Sequence, residues 1–476
     1  MFHPAVPYVP RRTRKSWHAM HLISTRSEAG QHTATGRTWT FREALFLGQA
    51  PDGGLFVPAS VPPLPDEDRA VLADLTFPER AFVVARHLLG REVPDDILRE
   101  AVHGALDFPV PLHEIEPGIH MLELFHGPTH AFKDIGARFM ARMMSALRDT
   151  NAPPLTILAA TSGDTGGAVA RAFHDLPGIR VVILYPLGKV SPRQEAQFTT
   201  LGGNVTAVAM RGAFDDCQRL ARQAFADPDL SARTRLTSAN SINIGRLLPQ
   251  TFYYVHAWAE LARTAPDSEL VLSIPSGNFG NLTAGLIAHR ALGMSLARFV
   301  AATNENSVVP DYLAGRGFHP RPSRPTISSA MDVGYPSNFR RIRHMFGEAG
   351  DDTGECPPDS LQTTVAGSSW TDRETRDCIR DLWRRRGIAI DPHTAVGLLG
   401  LRHELGQRPG ARDGPGARGV VLATAHPAKF AEIVEPLIGQ PITVPPGIAR
   451  VLDRPRHFVE IVPELGALGE VLAGFR

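Results

Sequence analysis

The sequence predicts an α/β protein in which parallel, twisted sheets carry helices on both faces. Three observations predict it. From about Pro154 onward, short apolar runs alternate with stretches of helical periodicity, the pattern of parallel strands joined by crossover helices. Two turns that lead from strand to helix, TSGDTGG and PSGNFGN, are dense in glycines and small polar side chains. And 476 residues exceed one ordinary core, so two or three domains are expected.

Residues 1–19 carry Arg11, Arg12, Arg14 and Lys15 without an acid, and prolines that oppose an amphipathic helix. They lack the apolar stretch of a secretory signal and read as a disordered basic tail, or as a stretch ahead of a start at Met20, whose removal is expected to leave folding and activity unchanged. Residues 20–107 have their own apolar content and are expected to form an N-terminal domain. In LFHGPTHAFKDIGARF (Leu124–Phe139), Ile135, Phe139, Met143 and Leu147 recur every four positions, with Gly136, Met140 and Met144 extending the stripe, so a helix begins close to Lys133. Leu155–Thr161, Arg180–Pro186 and Asn204–Met210 read as buried strands, with GAVARAFHDL and FDDCQRLARQAFAD as helices between and after them. A helical stretch over 246–263, a strand over 269–275, a helix over 281–292 and a late strand over 419–425 complete the series. The breaker-rich stretches 315–325, 354–360 and 406–419 read as surface loops, and no repeat of fixed period occurs.

A formal net charge of +1 argues against nucleic-acid and membrane-surface partners, and no apolar run approaches the ~20 residues of a membrane span. Cys217, Cys356 and Cys378 are odd in number and widely spaced, which suits free thiols in a reducing, cytoplasmic setting. His126 and His130 are separated by Gly127-Pro128, so they do not share one helical face, and no metal site is expected.

The chain hardly uses lysine. Lysine and arginine total 50, of which Lys15, Lys133, Lys189 and Lys429 are the lysines, leaving 46 arginines. A lysine that persists is a candidate for chemistry a guanidinium cannot do, such as forming an imine with an aldehyde. Lys133 stands at a helix start, where partial positive charge favours acids, and near apolar walls; both push an ammonium toward the neutral, nucleophilic amine. On this stretch alone, a surface lysine whose stem covers apolar residues is an equal alternative.

PSGNFGN (Pro275–Asn281) places Gly277 and Gly280 where backbone must turn tightly, with the free amides of a helix start pointing outward, a phosphate cradle without a basic side chain. An ordinary glycine-rich loop is the commoner reading of such a turn by itself. In TSGDTGG (Thr161–Gly167), Thr161, Ser162 and Thr165 are donors for a carboxylate or phosphate and Asp164 an acceptor, with helix capping by Ser162 or Asp164 as the alternative. SINIGRLLPQ sets Asn243 and Arg246 at a helix start, where Arg246 is able to fork an anion. ATAHPAKF ends a strand with Thr424 and breaks at Pro427, and a hydroxyl at a strand's carboxyl end is able to face a crevice. DPHTAVG reads as a helix start with a buried polar contact.

HLISTR, APDGGLFVP (Ala50–Pro58), LFHGPTHAFKD, TSGDTG, SINIGR, PSGNFGN, DPHTAVG and ATAHPAKF follow one another in the order found in threonine synthases. From Met20 onward the chain resembles that family, pyridoxal-phosphate enzymes of the tryptophan-synthase-β-like fold (fold type II). Two departures stand out. His130 occupies a position where an apolar residue is expected at the pocket wall, and residues 1–19 have no counterpart.

The resemblance implies an N-terminal domain at 20–107, a small α/β domain at 154–239, and a large cofactor-binding domain from 108–153 with 240–476. It implies pyridoxal 5'-phosphate held as an imine by Lys133, its phosphate cradled by Gly277, Asn278, Phe279, Gly280 and Asn281, and its ring nitrogen bonded by Thr424. Asp164 stands near where relatives place an asparagine against the 3′-oxygen, and serves that contact or the substrate side. The implied substrate is O-phospho-L-homoserine, its carboxylate or phosphate held by Thr161, Ser162, Thr165, Asn243 and Arg246. The freed Lys133 moves protons at Cα and Cβ, phosphate leaves from Cγ, and water adds at Cβ to give L-threonine in a monomer or homodimer. Two other readings share these motifs: a related lyase releasing 2-oxobutanoate, and a non-catalytic relative, against which the intact Lys133 argues.

Overall fold

A computed structural model of the chain describes residues 20–27, 37–264, 268–293, 296–348, 356–408 and 417–474. The expected tail at 1–19 lies outside the described residues, as do residues 354–355 and 409–416 of the expected loops. A short antiparallel ribbon joins β1 (Leu22–Ser24) to β2 (Phe56–Pro58). Then follow β3 (Leu112–Glu116), β4 (Ile119–Glu123), β5 (Leu155–Ala160), β6 (Ile179–Pro186), β7 (Val205–Met210) and β8 (Leu236–Ser238). The series ends with β9 (Leu270–Pro275), β10 (Leu296–Thr303), β11 (Val365–Ser369), β12 (Arg418–Ala423) and β13 (Val459–Ile461).

Two larger sheets result, a six-stranded one ordered β11-β10-β9-β12-β4-β3 and a five-stranded one ordered β13-β7-β6-β5-β8. All pairs are parallel except β3 with β4. The expected α/β class with parallel sheets is what the chain forms. Central strands such as LTILAA and LVLSIP are buried along their whole length, which is why they read as continuous apolar runs rather than alternating ones. Along β6, Val181, Ile183 and Tyr185 enter one apolar core while Val182 and Leu184 enter another. Along β12, Val420 and Leu422 point opposite to Val421 and Ala423. Successive side chains leave a strand on opposite faces, so each sheet has helices to cover on both sides. N-terminal residues Phe41, Phe56 and Phe82 share the first core with Phe139 of the lysine helix (Lys133–Leu147) and Phe252.

Three expectations are corrected. The late strand stops at Ala423 rather than 425, because the Thr424 carbonyl accepts from the Phe132 amide at 2.9 Å and Ala425 bridges to Ala131. The helix expected over 246–263 is broken into Ile244–Leu247, a tighter turn Leu248–Gln250 and Thr251–Thr264, with amide-less Pro249 at the break. Third, the C-terminal end does not stay with the six-stranded sheet: β13 pairs with β7, and Leu468 and Leu472 of the last helix pack in the core of the five-stranded one. Within the large sheet, β4, β12 and β9 lie side by side and parallel, so their carboxyl ends open at one edge. Ligands of open α/β sheets bind outside such ends.

Candidate active site

Each of those strand ends delivers one wall of a single cavity. After β4 the chain crosses β12, the Leu124 amide donating to the Ala423 carbonyl at 3.0 Å, and enters the lysine helix. Asp134 locks that crossing: its carboxylate accepts from the Thr129 amide at 2.8 Å and hydroxyl at 2.7 Å. Gly127 is required there, since a Cβ would sit 2.6 Å from Asp134 Oδ2. Lys133 is thereby the first residue of the helix, with its side chain 17% exposed and its Nζ 5.1 Å from the Phe132 ring centre.

From β5 the chain turns through Gly163, at φ 144°, into the helix Asp164–Phe173. Asp164 Oδ2 lies 3.8 Å from Lys133 Nζ, while its Oδ1 accepts from Lys429 Nζ at 2.6 Å and Gln194 Nε2 at 2.9 Å. From β9 comes the glycine turn. Phe279 adopts φ 60°, a conformation costly for a side-chain-bearing residue, and its ring is fixed 5.7 Å from that of Phe339. The helix Gly280–Leu292 starts there, its first amides lack partners within the helix, and Gly280 and Asn281 both line the cavity. Gly277 admits no Cβ either, for the Ala330 carbonyl would be 2.9 Å away.

The cavity is about 110 Å³ and is lined by Lys133, Ser162, Asp164, Thr165, Arg246, Thr424 and all five residues from Gly277 to Asn281. It shares Phe214, Ser241 and Asn278 with a wider space of about 530 Å³, bounded also by Leu55, Leu158 and Tyr335, which serves as its vestibule.

Two expected substrate ligands are absent from the lining. Thr161 Oγ1 accepts from the amides of Gly163 and Gly166 at 2.9 and 2.8 Å and donates to the Gly163 carbonyl, so its hydroxyl builds the turn. Asn243 is fully buried; it caps the helix Ile244–Leu247 through the Gly245 amide and donates to the carbonyls of Leu45 and Ser238. His130 is not in the lining either. Its ring lies 5.9 Å from that of His426, and a Cβ on Gly447 would stand 2.7 Å from its Nε2, so the departure from the family pattern falls behind the wall rather than in it.

Burial dominates the electrostatics. It lowers the Lys133 ammonium, with Lys429 and Arg246 acting in the same direction and Asp164 and Asp391 against it. Burial alone would raise the Asp164 carboxyl, yet the charges of Lys429 and Lys133 and the bonds from Lys429 and Gln194 outweigh it and hold that carboxyl well below the usual range. Arg246 is brought down to about 10 by burial; one of its terminal nitrogens donates to the Ala239 carbonyl at 2.6 Å, while its Nε has no partner among the described residues.

Among the residues lining the cavity, Asn281 also has a donor without a partner. Its Oδ1 accepts from the hydroxyls of Tyr253 and Tyr254, both at 2.6 Å, which leaves its amide nitrogen without a partner. Two orphaned donors and a helix start around one small space suit an acceptor-rich anion, and a lone shielded amine suits an aldehyde. The residues present therefore fit pyridoxal phosphate. Reading the sequence alone missed Lys429, Gln194 and His393. The last of these also lines the cavity; its Nδ1 donates to Asp391 at 2.8 Å and its Nε2 accepts from the Ala330 amide at 3.2 Å, the buried contact that DPHTAVG suggests.

Comparison with known proteins agrees with this geometry. The family of pyridoxal-phosphate dependent enzymes matches residues 110–424, the threonine synthase N terminus matches 21–106, and the threonine synthase C-terminal family matches 394–471. Threonine synthase of Escherichia coli (strain K12) is 42% identical over 434 residues, covering 91% of this chain and 96% of its own. That of Haemophilus influenzae is 44% identical over 406 residues, 85% and 90% of the two chains. Among solved structures, Escherichia coli threonine synthase superposes with a TM-score of 0.85 at 39% identity, covering 96% of this chain and 100% of the other. The pyridoxal-phosphate-bound threonine synthase of Brucella melitensis gives 0.84 at 33% identity, covering 96% and 99%. With coverage of most of both chains at 42% identity, and a family model matching residues 110–424, the chain belongs to the threonine synthase family of pyridoxal-phosphate-dependent lyases.

Proposed function

We propose that this chain converts O-phospho-L-homoserine and water to L-threonine and phosphate, with Lys133 as the amine that carries the cofactor and moves the protons. The observation that supports it best is a small cavity in which one amine, Lys133, shares the lining with two unpartnered donors, Asn281 Nδ2 and Arg246 Nε, each of which we assign to a different anion. The Gly277–Asn281 turn, with its helix-start amides and the free Asn281 nitrogen, takes the cofactor phosphate. Arg246 with Ser162 and Thr165 takes the substrate's phosphate or carboxylate. Thr424 meets the ring nitrogen, and Asp164 stays on the Lys133 side. Thr161 and Asn243 act by shaping the two turns rather than by touching substrate.

When bound, the cofactor supplies an electron sink for negative charge developing next to the substrate's amine-bearing carbon. The residues of the chain do the rest. Lys133 Nζ takes the proton from Cα, hands it on, and is then free to take the one from Cβ, which lets phosphate depart from Cγ with the bonding electrons; water adds at Cβ, and the protons return. A largely buried base with a lowered pKa is neutral more of the time and so is ready for this work. The described residues contain no helix long and apolar enough to cross a membrane and no cluster suited to a metal ion. A cytoplasmic location and a monomer or homodimer accord with the free cysteines and small-molecule chemistry. The test is a product assay: purified protein given phosphohomoserine should release threonine and phosphate in equal amounts. Mostly 2-oxobutanoate would instead mark a related lyase that fails to direct water to Cβ.

A further inference from the structure

The chain's other buried lysine is unexplained by the reaction just described. Lys429 follows β12 in the turn Pro427–Phe430 and has no exposed surface. Its ammonium meets three acceptors, the Thr129 carbonyl at 2.7 Å, Gln197 Oε1 at 3.1 Å and Asp164 Oδ1 at 2.6 Å. An ammonium has three hydrogens, and all three are used. The acceptors come from different parts of the fold: Thr129 from the crossing that leads to Lys133, and Asp164 and Gln197 from the two helices Asp164–Phe173 and Pro192–Thr199 beside the five-stranded sheet. One side chain thus ties the two sheets together behind Asp164, which lines the cavity.

We propose that Lys429 is a positioning residue for Lys133: it grips one oxygen of Asp164 so that the other faces the Lys133 amine, and its charge balances the carboxylate so that this amine can stand neutral. This rests on the reading of Lys133 as the reactive amine. The carboxylate has one oxygen saturated by Lys429 and Gln194 and one left at 3.8 Å from Lys133. With Lys429 charged, the Lys429–Asp164 pair is neutral and Lys133 need not supply a counter-charge. Without it, Asp164 would be a lone buried anion whose nearest cation is Lys133, and the amine would be held protonated. The other groups facing Lys133 are Arg246, Asp391 and the Phe132 ring, while Asp134 on its own helix is turned to Thr129. Lys429 itself is faced, beyond Asp164, by Asp134 and His130.

The experiment follows the pH dependence of Lys133 acetylation in the full-length, cofactor-free protein by mass spectrometry, with thermal stability measured in parallel. Lys429→Met should move the Lys133 midpoint up by about one pH unit or more. Asp164→Asn, which leaves Lys429 unopposed beside the amine, should move it down. The double variant should return it close to the parent value. A Lys133 midpoint that stays put in Lys429→Met while stability falls would reduce Lys429 to a structural tie and overturn the proposal. Should Lys429→Met fail to fold, Asp164→Asn decides alone, and an unchanged or raised midpoint overturns it. These outcomes are distinct from failure of the functional reading, which borohydride labelling of the loaded parent protein tests separately.

Discussion

Lys133 and Arg246 line one cavity but ask different things of their side chains. At Lys133 the requirement is a free amine. Lys133→Arg keeps charge and approximate length, and the glycine cradle of the cofactor phosphate is untouched, so the variant should fold and still take up cofactor. A guanidinium has no amine to give, so borohydride should no longer fix cofactor to protein, and turnover should fall by several orders of magnitude. Lys189→Arg, an exposed position, should change neither readout; near-normal activity in Lys133→Arg would remove the assignment. At Arg246 the requirement is a planar donor set, since one nitrogen is held by the Ala239 carbonyl and Nε is left for a ligand. Arg246→Lys should raise KM for phosphohomoserine about ten- to hundredfold, a loss in the range of one charge-assisted bond, with cofactor absorbance unchanged. Lost absorbance would put Arg246 at the cofactor's end of the cavity. Lys133 was legible in the sequence because arginine is the chain's default cation. The same rule applies to Lys429, but nothing in HPAKF shows which carboxylate it will meet, since Asp164 is 265 positions away in the chain.

Among the elements, the strand-to-helix turns carry the site, and each is built by residues that never touch a ligand. Thr161 illustrates it: a hydroxyl at a strand end looks like a substrate donor, yet three hydrogen bonds hold it within the turn. Only the fold tells a hydroxyl turned outward, as at Ser162, from one turned in. Thr161→Val should therefore act on stability, costing roughly 1–3 kcal/mol by leaving the buried Gly163 and Gly166 amides unpaired, as read by urea unfolding. The strands that the sequence reading did not find have a common cause. Long apolar strands announce themselves, whereas β8 and β13 are three residues each and are specified by their neighbours. A pH prediction belongs here, at the seam where the lysine crossing meets the end of β12. His426 donates its amide to the His130 carbonyl at 3.1 Å, and both rings are pushed by burial to about 4, with the neighbouring cations and histidines acting in the same direction. A depressed histidine adds stability above its unfolded value, near 6.5, and that stability is lost as pH falls toward the folded value. Unfolding midpoints in urea should thus drop between about pH 6.5 and about pH 4. His130→Asn should flatten part of the slope; an unaltered slope would locate the acid sensitivity elsewhere.

For the molecule as a whole, the sequence made the α/β class and the separation into sheets readable, because strand and helix periods alternate so regularly after Pro154. It did not reveal that the chain comes back on itself. After β12 completes the large sheet, the last segment crosses to the small one, adds β13 beside β7, and lays the helix Leu465–Ala473 against Phe214–Ala226 and Pro228–Thr234. A three-residue strand with two exposed positions leaves no periodic trace, which is why the segment looked like the end of the large domain. The return has a mechanical consequence. Arg456 pairs with Glu195 at 2.6 Å on the helix that also supplies Gln194 and Gln197 to the Asp164–Lys429 network, so the C-terminal segment braces the element behind the site. Deleting residues 456–476 should uncover Cys217, Leu220 and Leu230 and forfeit the burial of Ile461, Leu468 and Leu472, about 5 kcal/mol at roughly 1.5–3 kcal/mol per side chain with a discount for residual compactness in the unfolded chain. That is a large part of a typical domain's stability. The loss should be local: hydrogen exchange should quicken in 192–234 while residues 77–105, which pack in the first core, keep their protection. Because Gln194 and Gln197 would then be held only from one side, turnover should fall further than cofactor uptake. Unchanged exchange in 192–234 would mean that β13 and the final helix decorate the small sheet without supporting it.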